Sequence, residues 1–392
     1  MARQEGQIIE KVKGKKYSVR VFIGYEGERR KYHNKTINGS RKEAQAYLTE
    51  KLHEKNQGLT INPAKITVSE YMDKWLNTSA KGSIREKTLL DYEDRIRLYV
   101  TPAIGNVKLT DLKSEQVQQL YNDMQEVKGL SARTVRYVHS ILNSAFNQAV
   151  AWDYITSNPV EKKRIKLPKQ TKKEMKYLTP EQARQFMDAA VYSEHKALFN
   201  LLLVSGMRPG EALGLKWQDV DFDNKRVTVR RVLSRVHGKA LQIIEDTKTA
   251  KSKRTIPLTG SVMDDLKEIK QEHDKAAAER KAAEKWNLPV KEYNDQDLIF
   301  CNEQGSPIDE SNIYKRHFKP LLKDAGLPEI RLYDLRHTTA TLLLSAGENP
   351  KVVSERLGHS TITLTMDVYS HVMPTMQEGA TSKLEGMLSN AK

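Results

Sequence analysis

The chain has 392 residues, enough for about two or three domains, and its 38% hydrophobic and 29% charged residues give a globular protein with a wet surface. No apolar run approaches the roughly eighteen residues of a membrane span, MARQEGQIIEKVKGKK lacks a signal peptide's apolar core, and one cysteine, Cys301, excludes intramolecular disulfides and Cys-rich zinc sites, so a cytoplasmic location is expected. Lys and Arg number 65 against 50 Asp and Glu, and the resulting +15 favours a polyanion through counterion release, although a ribosome-associated protein would carry the same excess.

The first 64 residues read as a small β unit. KYSVRVFIGY alternates, with Tyr17, Val19, Val21 and Ile23 on one face and Ser18, Arg20 and Phe22 on the other. GYEGERRKYHNKTI supplies a turn and a partner strand. SRKEAQAYLTEKLHEK predicts a helix with Ser40 as N-cap and Glu43 three residues on, a capping box. A three-stranded sheet backed by one helix suits a DNA-reading module, and equally a sheet whose basic residues only keep it soluble.

From about Thr67 to Val160 the period turns helical. Val68, Tyr71, Met72 and Trp75 share one stripe, and SIREKTLLDYEDRIRLYVTPAIG follows, ended by Pro102 and Gly105. LKSEQVQQLYNDMQE and SARTVRYVHSILNSAFNQAVAWDYI complete four amphipathic helices, enough for a small bundle. Lys87, Arg95, Arg97, Arg133 and Arg136 lie among them, most as solvated faces and a minority as candidates for phosphate contact. EKKRIKLPKQTKKEMK, from Glu161 to Lys176, is half basic, contains Pro168 and has no sustained apolar period. It reads as a linker, and its charge suits one that lies against DNA.

The remainder opens with LTPEQARQFMDAA, a helix with Thr179 as N-cap and Pro180 first. After another helix come short strands around RVTVRRVL and RTIPLT, a long charged helix from VMDDLKEIKQ to EKW, and mainly helical sequence to the end. In LLLVSGMRPGEALGLKW an apolar helix ends at Ser205 and Gly206 and the next begins near Pro209. Arg208 lies in the turn, where helix-start amides and a guanidinium can face one anion, with Glu211 close enough to steady it. A solvated turn arginine would look the same. In IRLYDLRHTTATLLLSAG, Arg336 and His337 begin a helix whose Leu342, Leu343 and Leu344 are core, so Arg336 must snorkel or bind something negative. Lys248 falls at a predicted strand end before Arg254 and Ile256, which also fits a plain basic hairpin. LGHSTITLTMDVYSHV places His359 and Tyr369 ten residues apart, with little else reactive between them.

Taken together and in this order, GMRPGEALGL, YDLRHTTAT and LGHSTITLTMDVYSHV resemble the boxes of the tyrosine recombinase (phage-type integrase) family. The YSHV ending and the N-terminal β unit look nearest to integrases of phages and integrative conjugative elements of low-GC Gram-positive bacteria. The resemblance covers the whole chain. It implies a multidomain, mainly α protein with small β-sheets: an arm-type β-β-β-α DNA-binding domain at 1–64, a helical core-binding (SAM-like) domain at 65–160 and a basic linker at 161–176. An α+β catalytic domain of tyrosine-recombinase type follows at 177–375, and a tail at 376–392 would dock on a neighbouring subunit, through Leu384 and Met387 if it is helical.

The roles the resemblance implies make chemical sense. Tyr369 attacks the scissile phosphate to form a 3′-phosphotyrosyl link, Arg208 and Arg336 grip the non-bridging oxygens, His359 hydrogen-bonds the same phosphate, and Lys248 protonates the leaving 5′-oxygen. Two guanidinium forks stabilise the extra negative charge of a pentacoordinate phosphorus without a metal, and a covalent phosphotyrosine keeps the bond energy, so rejoining needs no ATP or other cofactor. The family box usually has His or Lys where Tyr333 stands here; a phenol, ordinarily with a pKa of about 10, is a poor base near neutrality, so Tyr333 and Glu211 are given supporting roles. The partners implied are double-stranded DNA at core and arm sites, a homotetramer on a Holliday junction, an excisionase and a host DNA-bending protein, in the cytoplasm of a bacterium at its nucleoid and with no membrane. The rivals are a type IB topoisomerase, which would relax DNA alone, and a DNA-binding regulator that never cleaves.

Overall fold

The computed structural model describes residues 6–26, 29–56, 66–161, 163–171, 175–235, 240–245, 253–286, 288–289, 292–369, 381 and 384–389, by backbone alone at 23–26, 29–31, 54–56, 364 and 367–369. They form two units, Met1–Lys172 and Lys173–Lys392.

In the first unit, β1 (Gly6–Val12), β2 (Lys16–Glu26) and β3 (Arg29–Asn38) form an antiparallel meander. Tyr17, Val19 and Val21 are buried, as alternation requires of a half-buried strand. Ala44 and Leu48 of α1 (Arg41–Asn56) share that small core. The capping box forms: Glu43 accepts from the Ser40 amide at 2.7 Å, and Ser40 Oγ accepts from the Glu43 amide at 3.3 Å.

The helical part comprises α2 (Val68–Trp75), α3 (Glu86–Arg95), α4 (Thr101–Ile104), α5 (Ser114–Glu126) and α6 (Ala132–Ala151). All four stripe residues of α2 are buried, and Tyr71 donates its hydroxyl to the Ala145 carbonyl at 2.7 Å. Pro102 does not end the helix expected to stop there. A wide π-turn at Ile96–Val100 carries α3 on into α4, so the Thr101 amide reaches Ile96 O. The Leu98 carbonyl, which an imino acid at 102 cannot serve, accepts the Lys128 ammonium at 3.3 Å. The helix ends before Gly105. The start of the basic stretch is anchored too: Ile165 is buried in the helical core, the Lys166 amide donates to Gln118 at 2.8 Å, and Arg136 donates to the Pro168 carbonyl at 2.8 Å. That bond employs a guanidinium that the sequence left as a candidate for phosphate.

The second unit contains α7 (Pro180–Ala190), α8 (Lys196–Ser205) and α9 (Pro209–Leu213). A sheet of β4 (Val220–Asp221), β5 (Arg226–Val229) and β8 (Arg254–Pro257) follows, with a separate ribbon of β6 (Val232–Arg235) and β7 (Leu241–Ile244). Then come α10 (Gly260–Lys285), α11 (Glu310–Ile313), α12 (Lys319–Asp324), α13 (Asp334–Ser345), α14 (Pro350–Leu357) and α15 (Ile362–Tyr369). Residues 384–389 are helical, with Leu384, Met387 and Leu388 exposed.

α8 is apolar all round because it runs through the core, where Phe186, Phe199 and Phe318 meet edge to face or tilted. On α13 the expected leucine run divides: Leu344 is fully buried, whereas Leu342 and Leu343 are half-buried against two different clusters. Threonines fill the rest of that buried face. Thr339 donates to the Leu203 carbonyl at 2.7 Å and Thr338 accepts from the Leu178 amide at 3.0 Å, so these two are satisfied inside, whereas the buried Thr341 hydroxyl has no hydrogen-bond partner among the described residues.

α9 and its C-cap each carry a glycine where β6 lies against them. A Cβ on Gly210 would sit 2.6 Å from the Leu233 carbonyl, and one on Gly214 2.9 Å from the Leu233 amide. Gly210→Ala should therefore destabilise the protein by ~1–3 kcal/mol, whereas Gly260→Ala, with open space around it, should stay within about 0.5 kcal/mol of wild type. Urea unfolding of the two variants checks this; equal stabilities would mean that β6 does not press on α9.

Candidate active site

The turn after α8 sets the first arginine. Gly206 caps the helix in the left-handed region (φ 69°), and a Cβ there would lie 2.7 Å from Leu357 Cδ2. Arg208 is extended and Pro209 starts α9, so three residues, Gly206 to Arg208, separate the two helices. Glu211, on the first turn of α9, accepts from the Arg208 amide at 3.0 Å and from Arg208 Nη1 at 2.8 Å. It also accepts from Arg254 Nη2 at 2.8 Å, and its side chain is 5% exposed. Burial alone would raise its carboxyl, but the hydrogen bond and charge of Arg254, joined by Arg208, hold it below the usual range.

Arg336 does not snorkel. It is 1% exposed in the first turn of α13, where Nη1 donates to the Gly206 carbonyl at 2.8 Å and Nη2 is buried without a hydrogen-bond partner. Burial, then the Arg208 charge, lowers it to about 10. A buried guanidinium with an open donor is costly unless an anion arrives.

His359 follows Gly358, whose left-handed conformation (φ 68°) ends α14, and the His359 amide closes that cap on the Ser354 carbonyl at 3.0 Å. Its Nδ1 lies 2.7 Å from the hydroxyl of Thr365 on α15. Burial and then the charges of Arg336, Arg208, His337 and Arg254 push the imidazole down to about 3, so it is neutral near pH 7. Those couplings put Arg208, Arg336 and His359 within one electrostatic neighbourhood.

Arg254 holds the neighbourhood together, although the sequence offered it only as a strand residue. It donates from Nη2 to Glu211 and from Nε to the Arg356 carbonyl at 2.7 Å, which ties β8 to α9 and to the last turn of α14. The signal was available: Arg254 and the core residue Ile256 share a face of β8, and a charged residue on an inward strand position needs a partner. Arg356, also passed over, donates to the Val204 carbonyl at 3.0 Å. Tyr333 is half-buried at the start of α13, its ring edge-on to His337 with centroids 5.4 Å apart, and it acts on Arg336 in the direction opposite to burial.

Tyr369 ends α15, a helix that packs on α14. Lys248 lies outside the described residues. Among the described residues one trio could hold a metal ion, Glu194, His195 and His317, with ligand atoms within 4.8 Å of one another, and it shares no residue with the arginine cluster.

Family models match most of the described chain: Phage integrase family over residues 176–376 and Phage integrase, N-terminal SAM-like domain over residues 67–125. A tyrosine recombinase XerC-like protein of Caldanaerobacter subterraneus subsp. tengcongensis is 32% identical, over 95% of this chain and 96% of its own. The ICEBs1 integrase of Bacillus subtilis is 28% identical over 66% of this chain and 67% of its own. Among solved structures, the Tn1549 transposon integrase in complex with a circular intermediate DNA aligns with a TM-score of 0.67 at 25% identity, covering 81% of this chain and 99% of that one. A lambda integrase tetramer bound to a Holliday junction shares the fold, with a TM-score of 0.54 at 19% identity over 91% and 96% of the two chains. With these matches spanning the arginine cluster and the helix that ends at Tyr369, the chain belongs to the phage integrase family of tyrosine recombinases.

Proposed function

We propose that the chain is a site-specific DNA recombinase that seats a backbone phosphate where Arg208, Arg336 and His359 converge and attacks it with Tyr369. One observation carries the placement: Arg336 is a buried cation whose Nη2 lacks a partner, beside a second arginine and a neutral histidine. Three guanidinium groups, those of Arg208, Arg254 and Arg336, surround the single carboxylate of Glu211. The surplus positive charge suits a phosphodiester, and suits still better the transition state, which carries more negative charge.

The Tyr369 phenol gives up its proton to solvent, and its oxygen bonds to phosphorus as the bond from phosphorus to the 5′-oxygen breaks. The departing electron pair stays on that oxygen, which takes a proton from Lys248. The 3′-phosphotyrosyl link is then attacked by a 5′-hydroxyl of the other duplex, reversing each transfer. Glu211 holds Arg208 in place, and Tyr333 is a hydrogen-bonding support for the second arginine box. Exchange of two strand pairs in turn passes through a four-way junction and requires four protomers on DNA, two active at a time; the lambda integrase tetramer on a Holliday junction supports that assembly.

Residues 1–64 take arm-type sites, 65–160 bind the core site, 177–375 carry the catalytic residues, and 161–176 is the basic linker. The tail from 376 docks on a neighbour through Leu384 and Met387. An excisionase and a host bending protein direct excision, in the cytoplasm at the nucleoid.

Tyr369→Phe should bind DNA as wild type does and give no covalent complex with a nicked suicide duplex in EDTA. A trapped Phe variant would mean the nucleophile lies elsewhere. Arg208→Lys keeps a positive charge but loses the fork, and should slow single-turnover cleavage about 100- to 1,000-fold; a near-normal rate would remove it from the phosphate site.

His359 generates a pH prediction. Its folded pKa, about 3, lies below the ordinary value of about 6.5, so the stability it contributes is present above that value and is lost as pH falls toward 3. A bound phosphate neutralises the neighbouring cations and raises the imidazole, so DNA binding at pH 5–6 should take up a proton that His359→Gln does not. Calorimetry in buffers of different ionisation enthalpy reads this directly; identical uptake by both proteins would show that His359 does not meet the phosphate.

A further inference from the structure

Thr365 is fully buried on a helix otherwise lightly covered, for Ile362 and Met366 of α15 are 44% and 38% exposed. Its hydroxyl reaches back to His359 Nδ1 at 2.7 Å. It stands four residues before Tyr369, one helical turn away on the same face of α15. His359 thus answers to two elements: α14 fixes its backbone through the Gly358 cap, and α15 meets its ring.

We infer that Thr365 is a positioning residue that holds His359 in the tautomer with the proton on Nε2, and that it does so only while α15, which carries Tyr369, is seated on α14. The inference rests on the phosphate-binding role proposed for His359. A neutral imidazole has one N–H and one lone pair. A phosphodiester oxygen offers no proton, so the nitrogen that meets it must be the donor, and Nδ1 must then accept. Thr365 O–H is the group placed to donate to Nδ1, and Nε2 has no hydrogen-bond partner among the described residues. A threonine within a helix has an alternative acceptor, the carbonyl four residues back, and while its hydroxyl is turned to His359 that option is given up.

The arrangement links two events. When α15 leaves α14, His359 loses the hydroxyl that selects its tautomer, so a protomer that withholds its tyrosine also withholds a phosphate donor. A strand-exchange scheme with two protomers active at a time needs such a resting state, and here one hydrogen bond between neighbouring elements supplies it. The role resembles the second-layer partners that set the tautomer of histidines binding metals.

The test compares Thr365→Val, equal in shape but without the hydroxyl, with Thr365→Ser, using the full chain and a nicked suicide duplex. Val should bind DNA normally but form the covalent complex about 10- to 100-fold more slowly, Ser should recover most of the rate, and Val should cost nothing further in a His359→Ala background. A wild-type rate for Val, or the same loss without the imidazole, overturns the inference. Nitrogen-15 histidine spectra of the DNA-free wild type decide it independently of how the variants fold: Nε2 protonated supports it, Nδ1 protonated overturns it. If Tyr369→Phe is still trapped on DNA, the proposed function fails; if Phe is inert while Val is fully active, this inference alone fails.

Discussion

One buried carboxylate, Glu211, makes the cluster of like charges possible. Arg208 and Arg254 both donate to it at 2.8 Å, and without it two guanidinium groups would face each other and the buried Arg336 with nothing between them. Breaking a buried pair of this kind typically costs about 3–5 kcal/mol, because the remaining charge stays desolvated and alone. Glu211 does not cancel the field. One negative charge among three positive ones sets their geometry and leaves a net positive excess beside the open donor on Arg336.

Burial and, after it, the same field explain the state of His359. A histidine whose pKa is about 3 beside arginines is a neutral hydrogen-bonding group near pH 7, so its chemistry depends on which nitrogen carries the proton. A neutral ring needs a neighbour to choose its tautomer, and a hydroxyl 2.7 Å from its Nδ1 belongs to the helix that ends at Tyr369. Charge at one end of the site thereby makes a threonine at the other end matter. The backbone frame is equally economical: the Gly206 carbonyl takes Arg336, while the absence of a Cβ at Gly206 admits Leu357 of α14.

Much of the fold was legible residue by residue. The Ser40–Glu43 capping box, the Thr179 cap, the buried stripe of α2 and the inward alternation of β2 from Tyr17 to Val21 all depend on neighbours within about four positions and stand as read, while the side chain of Ile23, expected on the same face, lies outside the described residues. Misreadings arose where a distant group changed the local rule. Pro102 ended a helix on paper because its missing N–H leaves a carbonyl unserved, and Lys128 serves that carbonyl. The basic stretch after Glu161 looked free because its charges hid Ile165, whose side chain completes the helical core.

The candidate site divides along the same line. By itself the sequence determined the family, through the order of its boxes, and the residue types able to meet a phosphate: Arg208, Arg336, His359 and the tyrosine that ends α15, with Glu211 near the first. Tertiary structure alone decided that Arg336 is buried rather than snorkelling, that Arg254 and not only Arg208 leans on Glu211, that His359 is neutral, and that Thr365 touches its ring. Burial, crowding of like charges and a hydrogen bond across a helix boundary join residues whose pairing no spacing along the chain encodes, because each exists only once separate elements have packed.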